Sequence, residues 1–275
     1  MTGIDTTTSR PPSSAPTSAA VRRSFPAALP AVYRAELIGL RTVRSTGYLA
    51  VAAALCIVFV GVGGVLAGPT SGTTAQDATG AALGGVGSAV VVVAALGVLA
   101  VTGDYASGVL GAVVTAVPRR SLVLVAKLGA LVTVVLPVTV GSALISLLAV
   151  RLLPGRPGVT ISLVAPGVAR AVLGVGLYLS AVAVLAAGLG WLLRSTAGAL
   201  VSWLGLWTLP TFGVLLLPPA RAAALGRLTP GEAGGTIATP GPGGELAAWA
   251  DLAVLLAYAA LVNALALLLF RRRDV

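Results

Sequence analysis

The chain has 275 residues and a formal net charge of +10; 57% of its residues are hydrophobic and only 9% are charged. A soluble globular domain carries about 25% charged residues, so this composition excludes an ordinary soluble domain and indicates a membrane protein. Without histidine and with a single cysteine the chain has no disulfide framework or Cys/His metal site, and its scattered basic residues lack the clustering of a nucleic-acid-binding surface.

The N-terminal segment, residues 1–28, is rich in Ser, Thr and Pro and has no apolar core of the kind found in signal peptides. We predict a disordered tail, since such a composition buries too little apolar surface to offset chain entropy. We predict that residues 29–275 form one transmembrane domain.

The next segment, residues 29–46, reads LPAVYRAELIGLRTVRST. As a helix it places Arg34, Arg41 and Arg44 within about 80° of arc, which predicts a helix lying at the inner membrane interface. Glu36 interrupts the apolar face of that helix. The alternative is a simple positively charged flank of the first membrane span.

Six apolar runs follow, each long enough or nearly long enough to cross the hydrocarbon core as a helix. They lack the alternation of transmembrane β-strands, and a lone segment in lipid satisfies its backbone only as a helix. The sequence therefore predicts an all-α polytopic membrane protein with six transmembrane helices. The predicted spans are Tyr48–Gly68, Ala81–Thr102, Leu122–Val150, Ala171–Leu193, Thr196–Leu217 and Ala247–Phe270.

The basic residues predict the orientation of the spans, because loops rich in Lys and Arg resist translocation. Six spans place both termini on one side, where ten basic residues lie near the membrane, against five on the other side. We therefore predict that both termini are cytoplasmic. The ten are Arg34, Arg41, Arg44, Arg119, Arg120, Lys127, Arg194, Arg271, Arg272 and Arg273; the five are Arg151, Arg156, Arg170, Arg221 and Arg227.

The stretch DYASGVLGAVVTAVPRR, residues 104–120, joins the second and third spans on the predicted cytoplasmic side. We expect Asp104 near the N-terminus of a short helix, where a carboxylate meets free backbone N–H groups. Pro118 ends that helix, and Arg119 and Arg120 mark the lipid headgroup boundary. An apolar helix at this surface calls for a protein partner, whereas the alternative is an ordinary polar loop.

Two polar groups and one long loop stand out near the last span. Asp251 and Asn263 are candidate pathway or gate residues, because ionisable and amide groups within spans are costly. The alternatives are a headgroup-level residue for Asp251 and an interhelical hydrogen bond for Asn263. The Gly- and Pro-rich loop of residues 218–245 is either an external cap or an idle linker.

The stretch from Asp104 to Arg120 resembles a motif of the permease subunits of bacterial ABC transporters of the ABC-2 type. That motif has an acidic residue, an aromatic residue, a glycine and then Ala-Val-Pro-Arg-Arg; here these are Asp104, Tyr105, Gly108 and TAVPRR. Lys127, the upstream RAELIGLRTVRST, WLLRSTAGAL at residues 191–200 and the terminal RRRDV are similar to further features of the family. The chain departs from the motif at Val109, where the family usually has Thr, and at Gly111, where a basic residue is common.

The resemblance implies a permease subunit, and more often an exporter, in the bacterial plasma membrane. A separate ABC ATPase subunit would bind ATP and Mg, a second permease copy or a homologous permease would complete the pathway, and no cofactor would bind this chain directly. The residues implied in coupling to the ATPase are Asp104, Tyr105, Gly108, Pro118, Arg119 and Arg120, none of them catalytic. In agreement, the sequence has no G-x-x-x-x-G-K-[ST] loop for nucleotide phosphates.

Other classes of membrane protein fit less well. A secondary transporter needs midplane ion or proton sites, and the predicted spans are nearly free of central acids. An intramembrane protease would need paired Glu or His residues, and the chain has no histidine. A non-transporting membrane anchor or regulatory protein stays open as the alternative.

Overall fold

A computed structural model describes residues 25–68, 74–106, 108, 120–152, 165–241 and 245–272. Within these ranges the chain is helical and contains no β-strand. The helices are α1 (Phe25–Thr42), α2 (Arg44–Ala67), α3 (Ala75–Leu83), α4 (Val86–Ala106), α5 (Arg120–Leu152), α6 (Val168–Leu193), α7 (Thr196–Leu215), α8 (Pro219–Gly226) and α9 (Glu245–Arg272), with a 3₁₀ turn at Gly235–Ala238 between α8 and α9.

Six helical segments are long and apolar enough to cross a membrane, as the sequence predicts. They are α2, the α3–α4 pair, α5, α6, α7 and α9. The junction of α3 and α4 lies against α2, where a Cβ added to Gly85 would lie 2.4 Å from the carbonyl oxygen of Ile57. Only glycine allows this approach, so the second span meets the first through backbone contact.

Helix α6 forms the centre of the bundle and packs against α4, α5, α7 and α9. It is buried along nearly its whole length, and small residues supply much of its surface. In lipid, helices associate by close packing and not by hydrophobic burial, so small side chains favour such a central position. The backbones of α6 and α4 approach closely, since a Cβ added to Gly97 would lie 2.3 Å from the carbonyl oxygen of Ala183.

The outer helices expose large apolar side chains. Phe59 on α2, Phe212 on α7 and Leu261 on α9 are 69%, 65% and 58% exposed. An apolar surface this extensive is foreign to monomeric soluble proteins and is the expected surface against lipid tails. The fold is that of a multi-pass membrane protein.

Helix α1 begins at Phe25, four residues before the predicted boundary at Leu29. It packs along the first part of α5, where the hydroxyls of Tyr33 and Thr133 are 2.7 Å apart and Leu40 is buried. Arg34 and Arg41 are exposed on α1, as the predicted basic face requires. The helix breaks at Val43, however, so Arg44, which the sequence predicts on the same helix, is the first residue of α2. Residues 1–24 of the predicted disordered tail lie outside the described residues.

The segment between α7 and α9 folds back onto the end of the bundle. Ile237 in the 3₁₀ turn is fully buried, and a Cβ added to Gly174 on α6 would lie 2.3 Å from its carbonyl oxygen. Gly234, which precedes the turn, has φ +84°, a left-handed conformation that glycine adopts without strain. The described part of this loop is therefore a packed cap on the bundle, and not an idle linker.

Candidate functional site

The connections between the helices define two ends of the bundle. One side of the bundle, which we call the Lys127 end, holds the C-termini of α4 and α6 and the N-termini of α5 and α7. The cap between α7 and α9 covers the other end, which we call the Asp251 end. Polar groups of the described residues gather at both ends.

At the Lys127 end, three helices meet at a cluster of three charges: Lys127 on α5, Glu36 on α1 and Asp104 on α4. The Nζ of Lys127 lies 3.0 Å from Oε2 of Glu36, forms an ion pair with Asp104, and donates a hydrogen bond of 3.1 Å to the carbonyl oxygen of Ala100. The side chain of Lys127 is only 4% exposed, whereas those of Glu36 and Asp104 are 13% and 31% exposed. A buried ammonium is tolerated when its donors are satisfied in this way.

The environment of Glu36 makes its carboxyl easier to protonate than a carboxyl in water. Burial raises the pKa of this carboxyl above its ordinary value of 4.5, because desolvation outweighs the opposing attraction of Lys127. The neighbouring carboxylate of Asp104 raises the pKa further. With two acids facing one lysine, the cluster is closest to electrical neutrality when Glu36 is protonated.

A second group of contacts at the same end joins α4 to the α6–α7 turn. The rings of Tyr105 and Trp191 meet edge to face at a centroid distance of 5.7 Å, and the guanidinium carbon of Arg194 lies 5.5 Å from the centre of the Tyr105 ring. The hydroxyl of Thr196 lies 2.8 Å from that of Thr102. These contacts hold the α6–α7 turn against the end of the second span.

The turn itself is tight and depends on two local features. Arg194 ends α6 in the left-handed conformation, with φ 52°. The side chain of Ser195 then accepts a hydrogen bond from the backbone N–H of Gly198 and caps α7. This geometry places the guanidinium of Arg194 over Tyr105.

The placement of Asp104 differs from the sequence-based expectation. Asp104 and Tyr105 lie in the last turn of α4, and not at the start of a following helix. The apolar run before them continues the second span, and the ion pair with Lys127 stabilises Asp104 where the helix dipole does not. Gly108 follows with φ +70° and is exposed.

The segment of residues 104–120 between the second and third spans, which we call the joint, is only partly described. Residues 109–119, which hold the predicted short helix with Pro118 and Arg119, lie outside the described residues. Arg120 is the first residue of α5. The structure thus describes the helix ends on either side of this segment.

The candidate residues of the last span, Asp251 and Asn263, both contact protein. Asp251, partly buried at the other end of the bundle, accepts a hydrogen bond of 2.8 Å from the hydroxyl of Thr236 in the cap. The Nδ2 of Asn263 donates to the carbonyl oxygen of Val184 on α6 at 3.0 Å and to that of Ala259 at 2.8 Å. The interhelical hydrogen bond considered for Asn263 is therefore confirmed, while Asp251 links α9 to the cap.

Sequence reasoning placed Arg194 on the same side of the membrane as Lys127, but it missed the contact of Glu36 with Lys127 and that of Arg194 with Tyr105. Glu36 interrupts the apolar face of the predicted helix over residues 29–46. Lys127, the single lysine of the chain, lies within an apolar run. Two opposite charges, each out of place on its own helix, are the signal that could have paired them. For Arg194 the sequence holds no comparable signal, because its contact with Tyr105 depends on how α4 and α6 pack.

Within the described ranges no group of three His, Cys, Asp or Glu side chains is arranged to hold a metal ion. No protein-family model matches the chain, and no curated protein sequence matches it.

Proposed function

We propose that the chain is the permease subunit of an ATP-driven ABC transporter of the ABC-2 type, an exporter in the bacterial plasma membrane with both termini in the cytoplasm. A separate ABC ATPase subunit binds ATP and Mg and docks at the Lys127 end. A second permease, either another copy or a homologous chain, completes the pathway. The chain is not itself an enzyme.

One observation carries this proposal: the separate segments that resemble the family converge at one end of the bundle. Glu36 belongs to the pre-membrane segment, Asp104 and Tyr105 to the joint, and Arg194 to the α6–α7 turn; Glu36 and Asp104 contact Lys127, and Arg194 contacts Tyr105. The alternation of six spans alone places these segments at the same end of the bundle. What supports the proposal is that their polar side chains are in direct contact there, as a shared task at one membrane face requires.

The contacts at this end support a mechanical role for the joint. Residues 107–119 connect Asp104 on α4 to α5, and the charge cluster ties both helix ends to α1. A force on the joint from the partner therefore moves three helices together, and the buried α6 passes the displacement into the bundle. ATP binding at the partner then biases two arrangements of the same bundle, as expected for a switch driven by a ligand bound elsewhere.

The direct test begins with a search of the neighbouring genes for one that encodes an ABC ATPase. The chain is then purified with that ATPase, and ATP hydrolysis is measured in nanodiscs. We expect the two to copurify, and Arg119→Ala to change ATP hydrolysis by the complex. Arg221→Ala, at an exposed arginine of α8 at the other end, is the matched control. Copurification without any effect of Arg119→Ala would show that the joint does not couple the chain to the ATPase. Transport by the chain alone, without nucleotide, would contradict the proposed function as a whole.

The orientation is tested separately by cysteine labelling. The exposed positions Ala106 and Leu228 lie at opposite ends, and Cys56 is replaced by alanine so that each variant holds one cysteine. We expect a membrane-impermeant maleimide to label Leu228→Cys in intact cells and Ala106→Cys only after permeabilisation. The reverse pattern would place the Lys127 end outside and exclude an ATPase there.

A further inference from the structure

The Asp251 end contains two adjoining cavities of different character. One, of about 300 Å³, has Arg170, Arg227 and Asp251 in its wall. The other, of about 410 Å³, lies beside α7 and α8 and is lined largely by apolar atoms, including Val214, Leu215 and Ala222. Arg227, Thr236 and Asp251 belong to both walls. A polar compartment and an apolar compartment thus share one boundary.

The two arginines of the polar cavity, Arg170 and Arg227, have unused hydrogen-bonding capacity. Arg170 donates from Nη2 to the carbonyl oxygens of Thr239 and Gly241, while its buried Nε has no partner. Arg227 is exposed and makes no ion pair among the described residues. A guanidinium binds phosphate or carboxylate oxygens through several directed donors.

Two carboxylates also line the cavities and oppose an anion there. Asp251 lies in both walls, but its Oδ2 already accepts a hydrogen bond from the Thr236 hydroxyl. Glu232 lines only the apolar cavity. In the polar cavity two arginines therefore face one aspartate.

We propose that these cavities bind an amphiphile with an anionic, phosphate-bearing head group. The head lies against Arg170 and Arg227, and the apolar tail lies beside α7 and α8. The cavities lie at one end of the bundle, where the apolar spans give way to the polar cap. The ends of membrane spans adjoin the lipid head groups, so an amphiphile with its head at this end is in keeping with that position. The combined size is within the range of small-molecule sites.

The site does not depend on an ATPase partner, so it is tested with the purified full chain alone. Binding is measured by native mass spectrometry in detergent with three probes: dilauroyl phosphatidic acid, dilauroylglycerol and inorganic phosphate. The second probe lacks the phosphate and the third lacks the tails. We expect phosphatidic acid to bind at least about tenfold more tightly than either, since each part contributes separately.

Variants locate the site. Arg227→Gln removes the shared guanidinium and is expected to weaken phosphatidic acid binding about tenfold. Arg221 is also exposed on this segment but lies outside both cavity walls. Arg221→Gln is therefore expected to change the affinity for phosphatidic acid by no more than about twofold. Thermal unfolding without probe checks that both variants remain folded.

Three outcomes overturn the proposal. Equal binding of dilauroylglycerol and phosphatidic acid would exclude recognition of the head group, and equal binding of inorganic phosphate would exclude the tail compartment. Equal loss in the Arg227 and Arg221 variants would show general surface attraction and no site. None of these results bears on coupling to an ATPase at the Lys127 end.

Discussion

Lys127 on α5 and Glu36 on α1 form an ion pair with an Nζ–Oε2 distance of 3.0 Å inside a cluster completed by Asp104 on α4. The pair fixes α1 to the membrane bundle through groups that are almost entirely removed from solvent. Such a pair is sensitive to the loss of one partner, because the remaining charge stays buried.

Replacing Lys127 by Met is expected to destabilise the protein by at least about 2 kcal/mol, because two carboxylates then face each other without a cation. The partial exposure of Asp104 keeps the effect below that of a fully buried pair. Unfolding in detergent measures the change, with Arg34→Gln, at an exposed arginine of α1, as control. The triple variant Lys127→Met, Glu36→Gln, Asp104→Asn should recover much of the loss; no recovery would mean that packing of the lysine stem, and not charge, dominates.

The stability of the protein should depend on the protonation of Glu36. Burial raises its pKa above 4.5 in the folded state, so between that value and the raised one the folded protein binds more protons than the unfolded chain. The contribution of Glu36 to stability is therefore fully present below pH 4.5 and is lost as pH rises through the raised pKa. Glu36→Gln removes this component.

The measurement is the unfolding midpoint of the wild type and of Glu36→Gln at a series of pH values from 4 to 8. We expect the wild type to lose stability relative to the variant as pH rises above about 4.5. Parallel curves for the two proteins would contradict a raised pKa at Glu36.

Gly97→Ala is expected to destabilise the bundle by about 1 to 3 kcal/mol, because the added methyl would lie 2.3 Å from the carbonyl oxygen of Ala183 and would force α4 and α6 apart. Gly87→Ala on the same helix meets nothing within 4 Å and should be neutral or slightly stabilising. Thermal unfolding of the two variants compares them directly. Equal stability would show that α4 and α6 are not in backbone contact.

Asn263→Ala is expected to cost about 1 kcal/mol, since it removes the hydrogen bond from Nδ2 to Val184 on α6. Leu261→Ala, on the lipid-facing side of α9, is the control and should change stability less because lipid fills the space. Denaturant unfolding in mixed micelles gives both values. A larger effect at Leu261 would place that side chain in a protein interface.

The six spans could be predicted because a single segment in lipid can satisfy its backbone hydrogen bonds only as a helix. A run of about 20 apolar residues must satisfy its own backbone, so length and composition define each helix. The predicted ends agree with the structure within a few residues for most spans, as at Leu193 and Thr196. Boundaries were less accurate where polar residues continue a helix, as at Asp104, because a polar residue resembles a loop signal.

The partners within the bundle could not be predicted in this way. The spans are apolar on nearly all sides, so their sequences do not distinguish a lipid-facing surface from a buried one. That α6 lies at the centre while α7 lies at the edge depends on which backbones can approach closely, as at Gly97 and Ala183. This close packing depends on the matching surfaces of two helices, so the sequence of one helix alone does not reveal it.

The sequence by itself determined that lipid surrounds much of this protein, how many helices are long and apolar enough to cross a membrane, and where charges lie along the chain. The reason is that the free-energy cost of placing polar groups in lipid is set within each segment separately. Only the tertiary structure decided that Glu36, Asp104 and Lys127 form one cluster, that Arg194 lies over Tyr105, and that the loop before α9 is a packed cap. These relationships join residues far apart in the chain, and their energies arise from distance and burial, which no single segment contains.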